Sequence, residues 1–187
     1  PPGITERRNW MTRILCLGDS ITDCGRLFSA DPLGKGYVKQ LSCLLHNTDH
    51  RFSIENRGID GFTLERLLQN TDFWLESSDP DIVTVLIGIN DVGIMMNTRR
   101  SSAQQQDLMN KFVTRYELLA KKLSCTNSRK RKLYFLEPFV FPWPRCYASW
   151  APLLSQMSVH IKRIMAPFFS RCRTIWIRKL HGPGLHQ

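Results

Sequence analysis

Arg13-Ile-Leu-Cys-Leu-Gly-Asp-Ser20 is the stretch on which the fold turns. Its apolar run carries no polar alternation and stops at a glycine, which suits a strand of a parallel sheet covered on both faces. Asp81-Ile-Val-Thr-Val-Leu-Ile-Gly88 repeats the pattern, and residues 52–55 and 133–136 read as weaker strands. Helical stripes lie between them. Met109, Phe112, Val113, Tyr116, Leu119, Ala120 and Leu123 recur at spacings of three and four, as one helical face requires. Tyr37, Leu41, Leu44 and Leu45 form a second stripe. Leu64, Leu67 and Leu68 form a third, behind a Thr63 placed to cap the helix. Leu153, Leu154, Met157, Ile161, Ile164 and Met165 form a fourth. All four are read as core packing. Strand and helix therefore alternate, which predicts an α/β domain: a three-layer α/β/α sandwich around a mostly parallel sheet.

At 187 residues the chain suits one domain. Its 42% hydrophobic and 22% charged residues are a globular composition, not a disordered or fibrous one. The net charge of +10 is unevenly spread. Residues 1–120 hold 13 basic and 15 acidic residues, whereas residues 121–187 hold 13 basic residues and one acid, Glu137. Clustered cations invite an anionic partner. Nucleic acid nevertheless ranks last, because these cations are scattered and the compact run Ser128-Arg-Lys-Arg-Lys132 has no stacking aromatic before Tyr134. That run reads as a solvated helix-to-strand loop. Cys16, Cys24, Cys43, Cys125, Cys146 and Cys172 include no CxxC pair, and no secretory pattern opens the chain. The expectation is reduced thiols in a cytoplasmic protein. The longest apolar stretches, such as 82–89, are too short to span a bilayer.

In a parallel sheet, sites form beyond the carboxyl ends of the strands, and three glycine-bearing turns fall there. Gly18-Asp-Ser20 follows the first strand, Asn56-Arg-Gly-Ile-Asp-Gly61 the second and Gly88-Ile-Asn-Asp91 the third. Ser20 offers a hydroxyl, Gly61 a bare backbone N–H and Asn90 a side-chain amide, which are the parts of a nucleophile with an oxyanion hole. The alternative is a set of plain glycine turns, one of them binding a phosphate. No cofactor or metal is expected. The aromatic, proline-rich residues 138–144 read as a wall of the site.

Leu17-Gly-Asp-Ser-Ile-Thr-Asp23, the turn from Asn56 to Gly61, and Gly88-Ile-Asn-Asp91 resemble, in order and spacing, the first three sequence blocks of the SGNH (GDSL) hydrolases. The resemblance covers roughly residues 11–165. It implies a flavodoxin-like fold and hydrolysis of a small-molecule carboxylic ester, a lipid or an acylated carbohydrate. Carried over by position, Ser20 is the nucleophile. The Ser20 amide, the Gly61 amide and the Asn90 side chain form the oxyanion hole, and Asp91 braces its turn.

The family's fourth block, a C-terminal Asp-x-x-His, has no counterpart here. Asp107 is the last aspartate and Glu137 the last acid, while His160, His181 and His186 lie downstream. His160 falls in a core stripe, and His46 and His50 precede the second strand. The base is therefore His181, His186 or no histidine. Without a base, turnover in such enzymes drops on the order of 10⁴ to 10⁶, so weakened catalysis, or ligand binding alone, is the rival expectation. Residues 1–10 read as an extension before Met11, and residues 11–187 as the domain. Residues from about 167 onward, including Arg171-Cys-Arg-Thr-Ile-Trp-Ile-Arg-Lys-Leu180, read either as a divergent or frame-shifted tail or as a final strand at 174–177.

Overall fold

The computed structural model describes residues 11–48, 51–97, 99–124, 131–139 and 149–169. His50, His181, His186, the 1–10 extension, the 174–177 strand, residues 140–148 of the aromatic loop and Cys125, Cys146 and Cys172 lie outside the described residues. Among the described residues, four strands form one parallel sheet in the order β2-β1-β3-β4: β1 (Thr12–Gly18), β2 (Phe52–Gly58), β3 (Ile82–Leu86) and β4 (Lys132–Phe135). The flanking helices are α1 (Ser20–Asp23), α2 (Tyr37–His46), α3 (Leu64–Ser78), α4 (Ile89–Met95), α5 (Ser102–Ser124) and α6 (Ala151–Phe169).

The β1 run explains the layers. Leu15 and Leu17 join a core with α3, α5 and α6 residues such as Leu67, Phe112, Tyr116 and Met157. Ile14 and Cys16 point the other way, onto Val38 of α2. Two-residue periodicity thus divides one apolar strand between two cores, and the result is the expected α/β/α sandwich. Each fully buried leucine is worth about 1.5–3 kcal/mol against exposure. The strand order reverses at β1, so the crevice beyond its carboxyl end is the switch point where such folds bind ligands.

Four expectations change in detail. The strand expected at 52–55 runs on to Gly58, because Asn56, Arg57 and Gly58 pair in register with Cys16, Leu17 and Gly18. Leu44 is exposed and not core; the buried centre of α2 runs through Val38 and Ser42. Thr63 occupies the N-cap position of α3 but makes no side-chain cap bond. The helix containing Pro167 continues to Phe169. The short helices α1 and α4 leave too few residues for a periodic pattern to show.

Candidate active site

Ser20 opens α1 at the carboxyl end of the central strand. The preceding Asp19 caps that helix, its Oδ1 accepting the Ile21 amide at 3.0 Å. Asp19 is 1% exposed. Burial pushes its carboxyl up to about 6, against the pull of the Ile21 amide and with a smaller push from Asp60. The backbones of Gly18, Gly58 and Leu86 sit side by side across the sheet, and the Ile59 amide donates to Gly18 O at 3.2 Å. The turns after β1, β2 and β3 therefore share one edge.

Asn56 ties the first two turns together. Its Nδ2 donates to Thr22 O at 2.7 Å and to Leu33 O at 2.8 Å, and its Oδ1 accepts the Gly58 amide at 2.9 Å. A methyl group added to Gly58 would lie 2.2 Å from the Asp23 amide nitrogen, so β2 and α1 pack through a space only glycine leaves open. Arg26 fastens the same corner, donating from Nη2 to Gly58 O at 2.8 Å beside Asp23. On the α2 side, the hydroxyls of Thr22 and Tyr37 meet at 3.2 Å. Nothing in the spacing of Asn56, Thr22, Arg26 and Tyr37 along the sequence reveals that they meet.

Gly61 is different in kind. It has φ +71° with no atom within 4 Å of an added Cβ, and it stands at the third position of a turn closed by the Phe62 amide on Ile59 O at 3.2 Å. That closure leaves the Gly61 N–H outside the turn's own hydrogen bond. Asn90, in the first turn of α4, donates from Nδ2 to Phe62 O at 2.8 Å and keeps a second N–H. Next to it, Asp91 accepts the Leu64 amide on Oδ2 at 3.0 Å. Burial pushes the Asp91 carboxyl up to about 7; the Leu64 amide and Arg115 oppose this and Asp19 reinforces it. Ser20, Gly61 and Asn90 thus stand on three adjacent turns of one edge.

His46 closes α2 at the opposite end of the sheet, its Nδ1 bonded to Ser42 O at 2.7 Å. His160 lies in the middle of α6. The thiol of Cys16 is buried and pushed up to about 11 by desolvation, so it is a packed group and not a nucleophile. Cys16, Cys24 and Cys43 are free thiols. Among the described residues no helix is long and apolar enough to cross a membrane, and no group of three or more His, Cys, Asp or Glu side chains is placed to hold a metal ion.

The sequence profile of the GDSL-like Lipase/Acylhydrolase family matches residues 16–167, from inside β1 to near the end of α6. The chain belongs to that family. A relative, the acetylxylan esterase of Geobacillus stearothermophilus, is 39% identical over 87 residues, which is 43% of this chain and 40% of the relative. The matched stretch thus spans well under half of the curated relative's length. A crystal structure of an acetylxylan esterase from the same organism superposes with a TM-score of 0.70 at 22% identity, covering 89% of this chain and 75% of that one. A protein of Parabacteroides merdae ATCC 43184, named for its likeness to a GDSL lipase, gives 0.70 at 22% identity over 89% of this chain and 77% of its own. These two likenesses establish the GDSL-type fold.

Proposed function

We propose that the chain is a serine ester hydrolase acting through Ser20, with the Ser20 and Gly61 amides and the Asn90 side chain as its oxyanion hole. One observation carries the reading: a serine, a glycine amide outside its turn's hydrogen bond and a pinned asparagine amide occupy three neighbouring turns at the switch point. In the proposed reaction Ser20 Oγ attacks the ester carbonyl carbon and its proton passes to a base. The carbonyl π pair moves onto oxygen, where the three donors stabilise it. Collapse breaks the bond to the alcohol, which leaves with the proton, and water then hydrolyses the acyl-serine by the same steps. Removing one oxyanion donor costs about 10²–10³ in turnover, so the donors supply several kcal/mol of the acceleration.

His181 or His186 is proposed as the base. Catalytic mutants of the Geobacillus acetylxylan esterase replace a serine, an aspartate and a histidine, whereas no acid follows Glu137 in these 187 residues. The second reading is a GDSL-type fold that binds its ligand and turns it over slowly. The name of the 39% identical relative supports an acetylated carbohydrate as the ester.

Intact-mass detection of a fluorophosphonate adduct tests both readings. An adduct on the wild-type chain that Ser20→Ala loses is the expected result, together with cleavage of a small chromogenic ester that the same substitution abolishes. Unchanged cleavage in Ser20→Ala defeats the hydrolase reading, and no adduct on the wild-type chain favours the binding one. Faster release of acetate from an acetylated xylo-oligosaccharide than of acid from a long-chain ester supports the carbohydrate; the reverse order removes it.

A further inference from the structure

We propose that Asp91 is a positioning residue of the oxyanion hole, acting through the first amide of α3 to fix where the Gly61 N–H stands relative to Asn90. The role rests on the reading of Gly61 and Asn90 as oxyanion donors. Its geometry comes from a cap that is missing locally and supplied from a distance. Helix α3 begins with N–H groups that have no partner within the helix, and Thr63 at the N-cap makes no side-chain bond to them. Asp91, 27 residues further along the chain, accepts the Leu64 amide at 3.0 Å instead. Its neighbour Asn90 holds Phe62 O at 2.8 Å. Two consecutive side chains from the turn after β3 thus grip two backbone groups between the loop after β2 and the start of α3, two residues apart.

Gly61 is the residue that needs the grip. It has no side chain, a positive φ and no atom within 4 Å of where a Cβ would be, so packing does not hold it. Hydrogen bonds hold the loop around it: Ile59 N–H on Gly18 O, Phe62 N–H on Ile59 O, and the two bonds from Asn90 and Asp91. Losing the Asp91 bond leaves the Asn90 bond, among the hydrogen bonds of the described residues, to join the segment after Gly61 to the third turn. Misplacement by about 1 Å costs on the order of 10²-fold in turnover. Two charged groups act on Asp91, Arg115 from α5 and Asp19 from the turn after β1, and Arg115 pairs in turn with Glu65 of α3 at 2.7 Å. The accepting oxygen serves whether the carboxyl is ionised or protonated, so an amide at position 91 is able to replace it.

Asp91→Ala and Asp91→Asn test the role by amide exchange and kinetics together. In Asp91→Ala the Leu64 amide is expected to lose about ten-fold or more in protection, and kcat on p-nitrophenyl acetate to fall by about ten-fold or more while KM stays within about two-fold. Asp91→Asn is expected to restore the protection and most of kcat. Leu64 protection unchanged in Asp91→Ala, a wild-type kcat in that variant, or no rescue by asparagine overturns the proposal. In the wild-type chain, NMR coupling across the hydrogen bond from Leu64 N to the Asp91 carboxyl reads the contact with no variant at all. Its absence overturns the proposal even if Asp91→Ala does not fold. Ser20→Ala separately decides the hydrolase reading, and the exchange and coupling arms need no activity.

Discussion

Asn56→Ala is the substitution that most directly probes how the serine-bearing turn is held. Asn56 is 5% exposed and makes three short hydrogen bonds, two donated to Thr22 O and Leu33 O and one accepted from Gly58 N–H. Each is worth about 1 kcal/mol net, and a buried group left without a partner costs about 1–3 kcal/mol. With some water entering the vacated space, the sum is about 3–5 kcal/mol, a large share of the roughly 5–15 kcal/mol that holds a domain together. In urea, with a slope of about 2 kcal/mol/M for a chain of this size, the midpoint is expected to drop by about 2 M. Tryptophan fluorescence reads the transition, and a slope equal to wild type shows that stability and not compactness has changed. Asn56→Asp separates acceptor from donor: it keeps the bond to Gly58 N–H but sets a carboxylate against two carbonyl oxygens. It is expected to be at least as damaging at pH 7 and milder in acid, where the protonated carboxyl donates one bond. A loss below about 1 kcal/mol in Asn56→Ala with an unchanged slope refutes the claim that this side chain fastens β2 to α1.

The two raised carboxyls predict a pH dependence of stability. Folding lifts Asp19 from 3.8 to about 6 and Asp91 from 3.8 to about 7, so between about pH 4 and 7 the folded chain binds more protons than the unfolded one and its stability falls as pH rises. Denaturation at pH 5 and pH 8 is expected to show wild type losing on the order of 2 kcal/mol relative to Asp91→Asn, and a constant difference contradicts the burial argument. Gly58→Ala forces a methyl group to within 2.2 Å of the Asp23 amide nitrogen and is expected to cost about 3 kcal/mol or more; thermal melting within a degree of wild type rules this packing out. Gly61→Ala meets no neighbour but must adopt φ +71°, at a cost of about 1–2 kcal/mol. Ester cleavage is expected to suffer more than melting temperature does, and a variant with full activity removes Gly61 from the proposed donors.

Much of the architecture is legible in short apolar runs. The segment from Arg13 to Gly18 announces a strand buried on both sides, and the stripe from Met109 to Leu123 lies within α5 with Met109, Phe112, Tyr116, Leu119, Ala120 and Leu123 all buried. Leu44 shows where such reading fails: it sits among apolar neighbours in sequence, yet the direction of approach between α2 and the sheet leaves it in solvent. Helix periodicity selects a face only to within one residue's rotation, and packing chooses the rest.

Ser20, Gly61 and Asn90 are visible as candidates because glycine-bearing turns after apolar strands carry a local signal. The supports around them carry none. Asn56 reaches Thr22 across 34 residues, and Asp91 reaches the first amide of α3 across 27. Thr63 has the local signature of the helix cap, but its side chain makes no cap bond, and Asp91 from the next turn takes the amide. The sequence by itself determined the four strands, the four longer helices and the edge that carries the candidate residues, because backbone preference and hydrophobic period act over a few residues. Only the tertiary structure decided which side chains hold that edge in shape, because a hydrogen bond depends on distance in space and the chain brings remote residues together only when it folds.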